Sequence, residues 1–207
     1  MPLYDRDLDI LVISHTDADH ITGLIETLER YDVDLIIRSN IKCSSALCTA
    51  LDQEIKKEDA KEWIVEAGDQ VSLGNNIYLN ILYPFNEEDI DSKVNNNSVV
   101  AKLVSKNSSL LLTGDIEKKV EQKLVFSDID ISANLLKLPH HGSKTSSTEE
   151  FLDLVNPNLA FINVGFNRYG HPSTEVIERL EKRGIKYYRT DVDGDVHLIM
   201  GQSVIIK

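Results

Sequence analysis

A short apolar segment near the start of the chain runs directly into a cluster of potential metal ligands. The segment is 9–13, and His15, Asp17, Asp19 and His20 follow it. A strand that ends in such a cluster holds its ligands on a rigid element, as a metal site requires. Two imidazoles and two carboxylates suit a pair of divalent cations. The alternative interpretation is a polar loop that happens to be rich in Asp and His.

The same arrangement recurs at three later places in the chain. Asp115 follows the apolar run 110–112, His140 and His141 follow a second run, and His171 stands between a predicted strand and a predicted helix. Asp115 alone is equally well explained as a residue at a helix N-terminus, and His171 alone as a turn residue. Together, four strand-end loops that carry His and Asp predict one edge of the sheets lined with ligands.

Strand-like and helix-like segments alternate along the whole chain. Helices are predicted where apolar residues recur at helical spacing, namely from Ser45 and at 116–126, 148–155 and 174–183. Strands are predicted by alternation or short apolar runs at 9–13, 35–38, 71–73, 77–83, 99–104, 110–113, 135–138, 159–164, 186–190, 196–200 and 204–206. Hairpins mixed with strand-helix-strand units predict a layered α+β fold with mixed sheets. No linker or repeat marks a boundary, so we expect one domain over residues 1–207.

The charge of the chain bears on its partners. A formal net charge of -12 disfavours a simple nucleic-acid binder, which needs a basic face to displace counterions. Cations held by Asp17, Asp19 and Asp115 would neutralise part of this charge and attract a polyanionic substrate locally. Composition therefore weakens the hypothesis of a nuclease without excluding it.

Targeting signals and cysteines bear on location. No apolar run approaches the roughly 20 residues of a membrane span, and the first residues lack the pattern of a signal peptide. Cys43 and Cys48 are too few and wrongly spaced for a zinc knuckle or a disulfide framework. We expect them to be reduced near a helix, in line with a cytoplasmic location.

The segment 15–20 resembles the H-x-H-x-D-H signature of the metallo-β-lactamase superfamily, with Asp17 at the position of the second histidine. Within that superfamily the chain resembles the soluble metallo-β-lactamase-like domain of ComEC competence proteins and their stand-alone relatives. The matching segments follow in the expected order at 14–23, 67–84, 96–100, 112–115, 136–147, 167–172 and 189–191. The resemblance implies an αββα sandwich with the metal site at the strand ends along one edge.

The resemblance also implies a role for each candidate residue. By this resemblance, His15 and Asp17 would bind the first metal. Asp19, His20 and His141 would bind the second metal, and Asp115 would bind both. A metal-bound hydroxide would be the nucleophile, its pKa lowered by the cations. The predicted catalytic residues are Asp19, His140 and His171, of which either histidine would protonate a leaving group or hold a phosphate oxygen.

The sequence departs from the superfamily pattern in two places. The histidine expected at the start of the strand 99–104 is missing, and Asn96 or Asn97 stands nearby. Because an amide is a poor replacement, we expect the first metal site to be weak or empty. With Asp17 in place of histidine that site is also richer in oxygen, which shifts its preference from zinc towards manganese or magnesium. Relatives also carry strands before the region that starts here at Leu3, so we expect an incomplete sheet whose exposed edge invites a partner strand or a second copy.

Three hypotheses for the function follow. The leading one is a metal-dependent hydrolase of phosphodiester bonds, including a DNA nuclease, that uses one or two divalent cations, zinc or manganese. The second is a hydrolase of lactones or other esters. The third is a non-catalytic remnant of the fold that binds a partner. We expect a cytoplasmic location for a stand-alone chain and an extracytoplasmic one for part of a membrane competence protein.

Overall fold

Two β-sheets lie at the centre of the fold, and helices cover their outer faces. The computed structural model describes residues 5–41, 43–86 and 88–200 and the backbone of 205–206. The elements of the first half are β1 (Asp7–Ile13), α1 (Ala18–Leu28), β2 (Asp32–Arg38), α2 (Ala46–Lys57), β3 (Lys61–Ile64), β4 (Gln70–Ser72), β5 (Ile77–Tyr83), β6 (Val100–Ser105) and β7 (Ser108–Leu112). Those of the second half are α3 (Lys118–Val125), β8 (Leu135–Lys137), α4 (Glu149–Val155), β9 (Leu159–Ile162), α5 (Thr174–Lys182), β10 (Lys186–Arg189), α6 (Thr190–Asp193), β11 (Leu198–Ile199) and β12 (Ile205–Ile206).

The two sheets differ in size and in strand direction. The smaller sheet has the order β1-β2-β3, with all strands parallel. The larger has the order β10-β9-β8-β7-β6-β5-β4. Its hairpins from β4 to β7 are antiparallel, and β7 to β10 are parallel. The prediction of mixed sheets is therefore confirmed for the larger sheet, whereas the smaller one is purely parallel.

Three apolar layers hold these elements together. In β5, Leu79 and Ile81 face the smaller sheet, where they pack with Ile37 of β2. The opposite face of the larger sheet packs against α3, α4 and α5. The outer face of the smaller sheet packs against α1 and α2. The order of layers is helix, sheet, sheet, helix, so the predicted αββα sandwich is confirmed.

The C-terminal segment covers the inner face of the larger sheet where the smaller sheet does not reach. Val196, Leu198 and Met200 pack there against Leu135 of β8 and Phe161 of β9. Within the smaller sheet, the described strands leave β1 at an edge, paired only with β2. Leu3, where the sequence resemblance begins, lies outside the described residues. No described helix is long and apolar enough to cross a membrane.

The sequence located most elements to within two residues at each end but missed α1, β3 and the short helix α6. The run that contains the ligand cluster continues as α1, whose Ile21, Leu24, Ile25 and Leu28 share one face and pack on the smaller sheet. That helical spacing was available in the sequence, but the polar residues before it indicated a loop. Instead, Asp17 occupies the N-cap position of α1.

The prediction of reduced cysteines is wrong, because the structure joins Cys43 and Cys48 in a disulfide. Cys48 lies in the first turn of α2, and the preceding loop turns back so that the two Cα atoms are 5.8 Å apart. This distance lies within the range that a disulfide spans. The cysteines therefore do not support a cytoplasmic location.

Candidate metal centre

The loops that follow β1, β7, β8 and β9 meet at one edge of the two sheets. Four side chains at this edge place one ligand atom each within 4.8 Å of one another: Asp19 and His20 in the first turn of α1, Asp115 after β7 and His141 after β8. Strand ends of the two sheets thus bring together residues that are far apart in the sequence. We call these four residues the metal cluster, and their role as ligands stays a prediction.

Asp115 lies at the centre of the metal cluster. Its Oδ2 is 3.2 Å from Nε2 of His20 and 3.1 Å from Nε2 of His141. Nε2 of His141 is also 3.3 Å from Oδ2 of Asp19 and 3.3 Å from Nε2 of His20. Two imidazole nitrogens and two carboxylate oxygens therefore face one point, which is a donor set for zinc or manganese.

A glycine sets the direction of Asp115. Gly114 has a φ of +53°, and a Cβ there would lie 2.6 Å from the side chain of Ser98. Oγ of Ser98 accepts a hydrogen bond from the backbone N–H of Asp115 at 3.0 Å. Because the two segments approach so closely, a larger residue at position 114 would displace the carboxylate.

A strained turn directs His141 into the metal cluster. His140 and His141 have φ values of 50° and 53°, a conformation that costs on the order of 1 kcal/mol per non-glycine residue. Nδ1 of His141 donates to the carbonyl of Asn163 at 2.5 Å. Nε2 of His141 faces Asp115, so both ring nitrogens face acceptors in the metal-free chain, and these two contacts raise the pKa of His141. A cation at Nε2 would take the place of the proton there and leave the proton on Nδ1, which is the tautomer that a metal ligand needs.

Lys137 contacts the metal cluster, and nothing in the sequence analysis singled it out. Its Nζ donates to Oδ1 of Asp115 at 3.0 Å and to the carbonyl of Gly114 at 2.7 Å. Both charged side chains are largely buried. The signal in the sequence is a lysine within the apolar run that forms β8. The ammonium fixes one carboxylate oxygen of Asp115 and leaves the other for the two imidazoles.

Several groups of the site have shifted pKa values. Burial alone would raise the pKa of Asp115, but hydrogen bonds from His141 and His20 and the charge of Lys137 hold it well below its ordinary range. Burial, followed by the carboxylates of Asp19 and Asp115, raises the pKa of Asp17. Negative charge is therefore concentrated around Asp17, and a bound cation would relieve it.

The two residues predicted for the first metal lie beside the metal cluster and outside it. His15 is buried, its ring centre is 4.1 Å from that of His20, and its Nε2 has no hydrogen-bond partner among the described residues. Burial, together with the neighbouring His20, lowers the pKa of His15 to about 3. A neutral, buried imidazole nitrogen without a hydrogen-bond partner is suited to bind a metal. Without any partner, a buried polar atom destabilises the folded chain.

The two other predicted catalytic histidines lie on the side of β8 and β9. Nε2 of His140 is 3.3 Å from the amide nitrogen of Asn95, and its Nδ1 is 3.4 Å from Oγ1 of Thr145. Its ring centre is 5.5 Å from that of His171. Burial lowers the pKa of both rings. His171 lines a cavity of about 550 Å³ together with Asp19 and His141.

No family model matches the chain, but individual proteins do. It is 32% identical to ComE operon protein 3 of Bacillus subtilis over 192 residues, which is 92% of this chain and 24% of that protein. It is 31% identical to competence protein ComA of Neisseria gonorrhoeae, over 96% of this chain and 26% of that protein. Recombination protein 2 of Haemophilus influenzae is also 31% identical, over 96% of this chain and 23% of that protein. The chain thus spans about a quarter of the length of these curated relatives.

Solved structures agree with the architecture. A structure from Parabacteroides distasonis, described as a metal-dependent hydrolase, superposes with a TM-score of 0.52 at 17% identity, over 90% of this chain and 77% of that one. The chain is homologous to ComEC-type competence proteins and has the metallo-β-lactamase fold. The diiron β-hydroxylase CmlA of Streptomyces venezuelae superposes with a TM-score of 0.57 at 12% identity, over 90% of this chain and 44% of that one. Since these neighbours differ in their chemistry, the likeness shows the fold alone.

The missing histidine of the metallo-β-lactamase pattern has no replacement in the neighbouring amides. Oδ1 of Asn96 accepts from the backbone of Glu117, and Asn97 bonds to the backbone of Asp91 and Lys93 through both ends of its amide. Both asparagines are buried and hold the loop that precedes β6. Neither of these two amides is therefore available as a ligand, and a weak or empty first metal site stays a prediction.

Proposed function

We propose that the chain is a metal-dependent hydrolase of phosphodiester bonds. The observation that carries the proposal is the metal cluster, in which two imidazoles and two carboxylates from the start of α1 and from two loops face one point. The homologous competence proteins, and the one named a recombination protein, favour a nucleic-acid substrate, because recombination acts on DNA. The proposed ligands are the four residues of the metal cluster, with His15 and Asp17 as ligands of a second, weaker cation.

A bound divalent cation would lower the pKa of a water molecule and neutralise charge on a phosphoryl oxygen. The residues of the chain hold the parts in place for this chemistry. Lys137 fixes Asp115, and the carbonyl of Asn163 fixes the tautomer of His141. His171, which lines the adjacent cavity, is placed to hold a substrate oxygen. Because its pKa is lowered, it acts as a neutral hydrogen-bond donor at neutral pH.

The cavity beside the metal cluster has the size of a small-ligand site. Its volume of about 550 Å³ lies within the range of roughly 300–1,000 Å³ that such sites have. The net charge of -12 would repel a polyanion from most of the surface. We therefore expect a bound cation and the nearby hydrogen-bond donors to attract such a substrate at this cavity.

Hydrolysis of bis(4-nitrophenyl) phosphate by the manganese-loaded chain tests the proposal. We expect turnover that His20→Ala abolishes and that Asp130→Asn, a change away from the metal cluster, leaves intact. Hydrolysis of 4-nitrophenyl acetate or a lactone without hydrolysis of the diester would favour the second hypothesis. A chain that binds metal and hydrolyses none of these probes would favour a non-catalytic domain.

A partner strand at the edge strand β1 is a separate proposal. Within the described sheet, β1 pairs on one side only, and an unpaired strand edge is a template for further pairing. Sedimentation of the purified chain over a range of concentrations tests whether a second copy is that partner.

A further inference from the structure

The loop between β9 and α5 exposes two large aromatic side chains beside the metal cluster. Phe166 is 99% exposed and Tyr169 is 85% exposed. An aromatic ring in a soluble domain normally buries most of its surface, and neighbouring exposed rings commonly mark a binding surface. Two such rings in one short loop therefore indicate a binding surface.

The loop is held in shape by its own hydrogen bonds. The side chain of Asn167 accepts from the backbone N–H groups of Tyr169 and His171 and donates to the carbonyls of Gly165 and His171. At the start of the loop, the hydroxyl of Thr190 accepts from the backbone N–H of residue 164 and donates to the carbonyl of that residue. The two rings are thus presented by a preorganised turn, which lowers the entropic cost of binding a ligand.

The loop and the metal cluster border the same space. Phe166 and Tyr169 line the cavity of about 550 Å³ that Asp19 and His141 also line. The ring of Tyr169 is stacked on that of His171, with centres 5.9 Å apart and planes 24° apart. A ligand in this cavity can therefore contact the aromatic rings and the metal cluster at the same time.

The charge beside these rings points to the kind of ligand. Arg168 lies between them in the sequence and is exposed, and it forms no hydrogen bond or ion pair with any described residue. Two exposed aromatic rings with an unpaired arginine in the same loop suit a ligand that combines a planar ring with an anion. A nucleotide has both, and proteins that bind single strands use stacking rings together with cationic groups.

We propose that Phe166 and Tyr169 form a base-stacking subsite for single-stranded nucleic acid, with Arg168 on the adjacent phosphate. The proposal deepens the proposed function and rests on it for the class of substrate. A single strand is required because the bases of a duplex are already stacked on their neighbours and do not offer a free face. The subsite would hold a base next to the phosphodiester that the metal cluster meets.

Binding of a fluorescent oligothymidylate with a cleavage-resistant phosphorothioate backbone to the manganese-loaded full chain tests the subsite without cleavage. We expect the double variant Phe166→Ala/Tyr169→Ala to bind at least about tenfold more weakly, since removing one stacking ring costs roughly five- to hundredfold in affinity. Phe126→Ala is the matched control, because Phe126 is 85% exposed and lies at the end of α3, outside this cavity. Its affinity should equal that of the unchanged chain.

An abasic oligonucleotide of the same length separates stacking from charge. The unchanged chain should bind it about as weakly as the double variant binds oligothymidylate, and Arg168→Ala should weaken the binding of both probes. Equal affinity of the double variant and the unchanged chain for oligothymidylate would overturn the proposal. A double variant that no longer binds phosphatidylcholine vesicles but binds the oligonucleotide normally would identify the loop as a membrane contact. That result would also overturn the proposal.

The outcome is independent of the catalytic proposal. If the double variant loses base-dependent binding while the metal-loaded chain hydrolyses no phosphodiester, the subsite stands and the proposed activity fails. If bis(4-nitrophenyl) phosphate is hydrolysed but the double variant binds oligothymidylate normally, the activity stands and the subsite fails.

Discussion

Replacing Lys137 with methionine tests how the metal cluster balances its charge. Lys137→Met keeps a side chain of similar length and removes the ammonium that lies 3.0 Å from Oδ1 of Asp115. The side chains of Asp115 and Lys137 are 3% and 16% exposed, and breaking a buried ion pair costs about 3–5 kcal/mol. Because two imidazoles still contact the other oxygen of Asp115, we expect the metal-free chain to lose about 2–3 kcal/mol of stability, at or below the lower end of that range.

A divalent cation should remove most of that penalty, since it supplies positive charge beside Asp115 in place of the lost ammonium. Urea unfolding with chelator and with saturating manganese measures both values, and we expect the difference between variant and unchanged chain to fall below about 1 kcal/mol with manganese. Lys102→Met is the control, because Lys102 is also buried but pairs with Asp130. Its effect should not depend on the metal. An equal penalty for Lys137→Met with and without manganese would refute the reasoning, because the cation would then not lie at Asp115.

Three further predictions follow from the site and its surroundings. His141→Ala is expected to lose metal and His140→Ala to keep metal but hydrolyse more slowly, since only the ring of His141 lies in the metal cluster; metal titrations and turnover with the reverse pattern would exchange the two roles. Activity on a phosphodiester is expected to be higher with manganese than with zinc, because the predicted first site is rich in oxygen, and full activity with zinc alone would count against this. Hydrogen bonds from Ser132 and Lys102 lower the pKa of Asp130 to about 2 from 3.8. Its ionised form therefore stabilises the fold above about pH 3.8, and this stability is lost as the pH falls through about 2. Asp130→Asn should lower the free energy of unfolding by less than about 1 kcal/mol near neutral pH, because the carboxylate is largely exposed. Urea unfolding in which the variant and the unchanged chain differ as much near pH 2 as at neutral pH would contradict this role of Asp130.

The convergence of the metal cluster could be predicted because it depends on strand ends. Apolar runs that lead into Asp115 and His141 mark the ends of β7 and β8, and neighbouring parallel strands end at the same edge of a sheet. The position of α1 was not predicted, since its first turn carries the polar residues Asp19 and His20. There the packing of one apolar helix face overrides the polar character of the first turn.

Features that depend on long-range packing were not accessible from the sequence. Lys137 reads as one charge in a strand, and only the fold places it against Asp115. Pairing of Cys43 with Cys48 depends on how the loop before α2 turns back. The exposure of Phe166 likewise follows from the hydrogen bonds that shape its loop, which a linear pattern does not reveal.

The metal content of the purified chain tests the central claim most directly. After incubation with manganese or zinc and removal of free metal, elemental analysis should find at least one tightly bound cation per chain. His20→Ala should lose that cation and keep its fold by circular dichroism, because His20 lies in the first turn of α1 and is not part of the apolar core under that helix. A chain that binds neither metal, or a His20→Ala variant with unchanged metal content, would contradict the account.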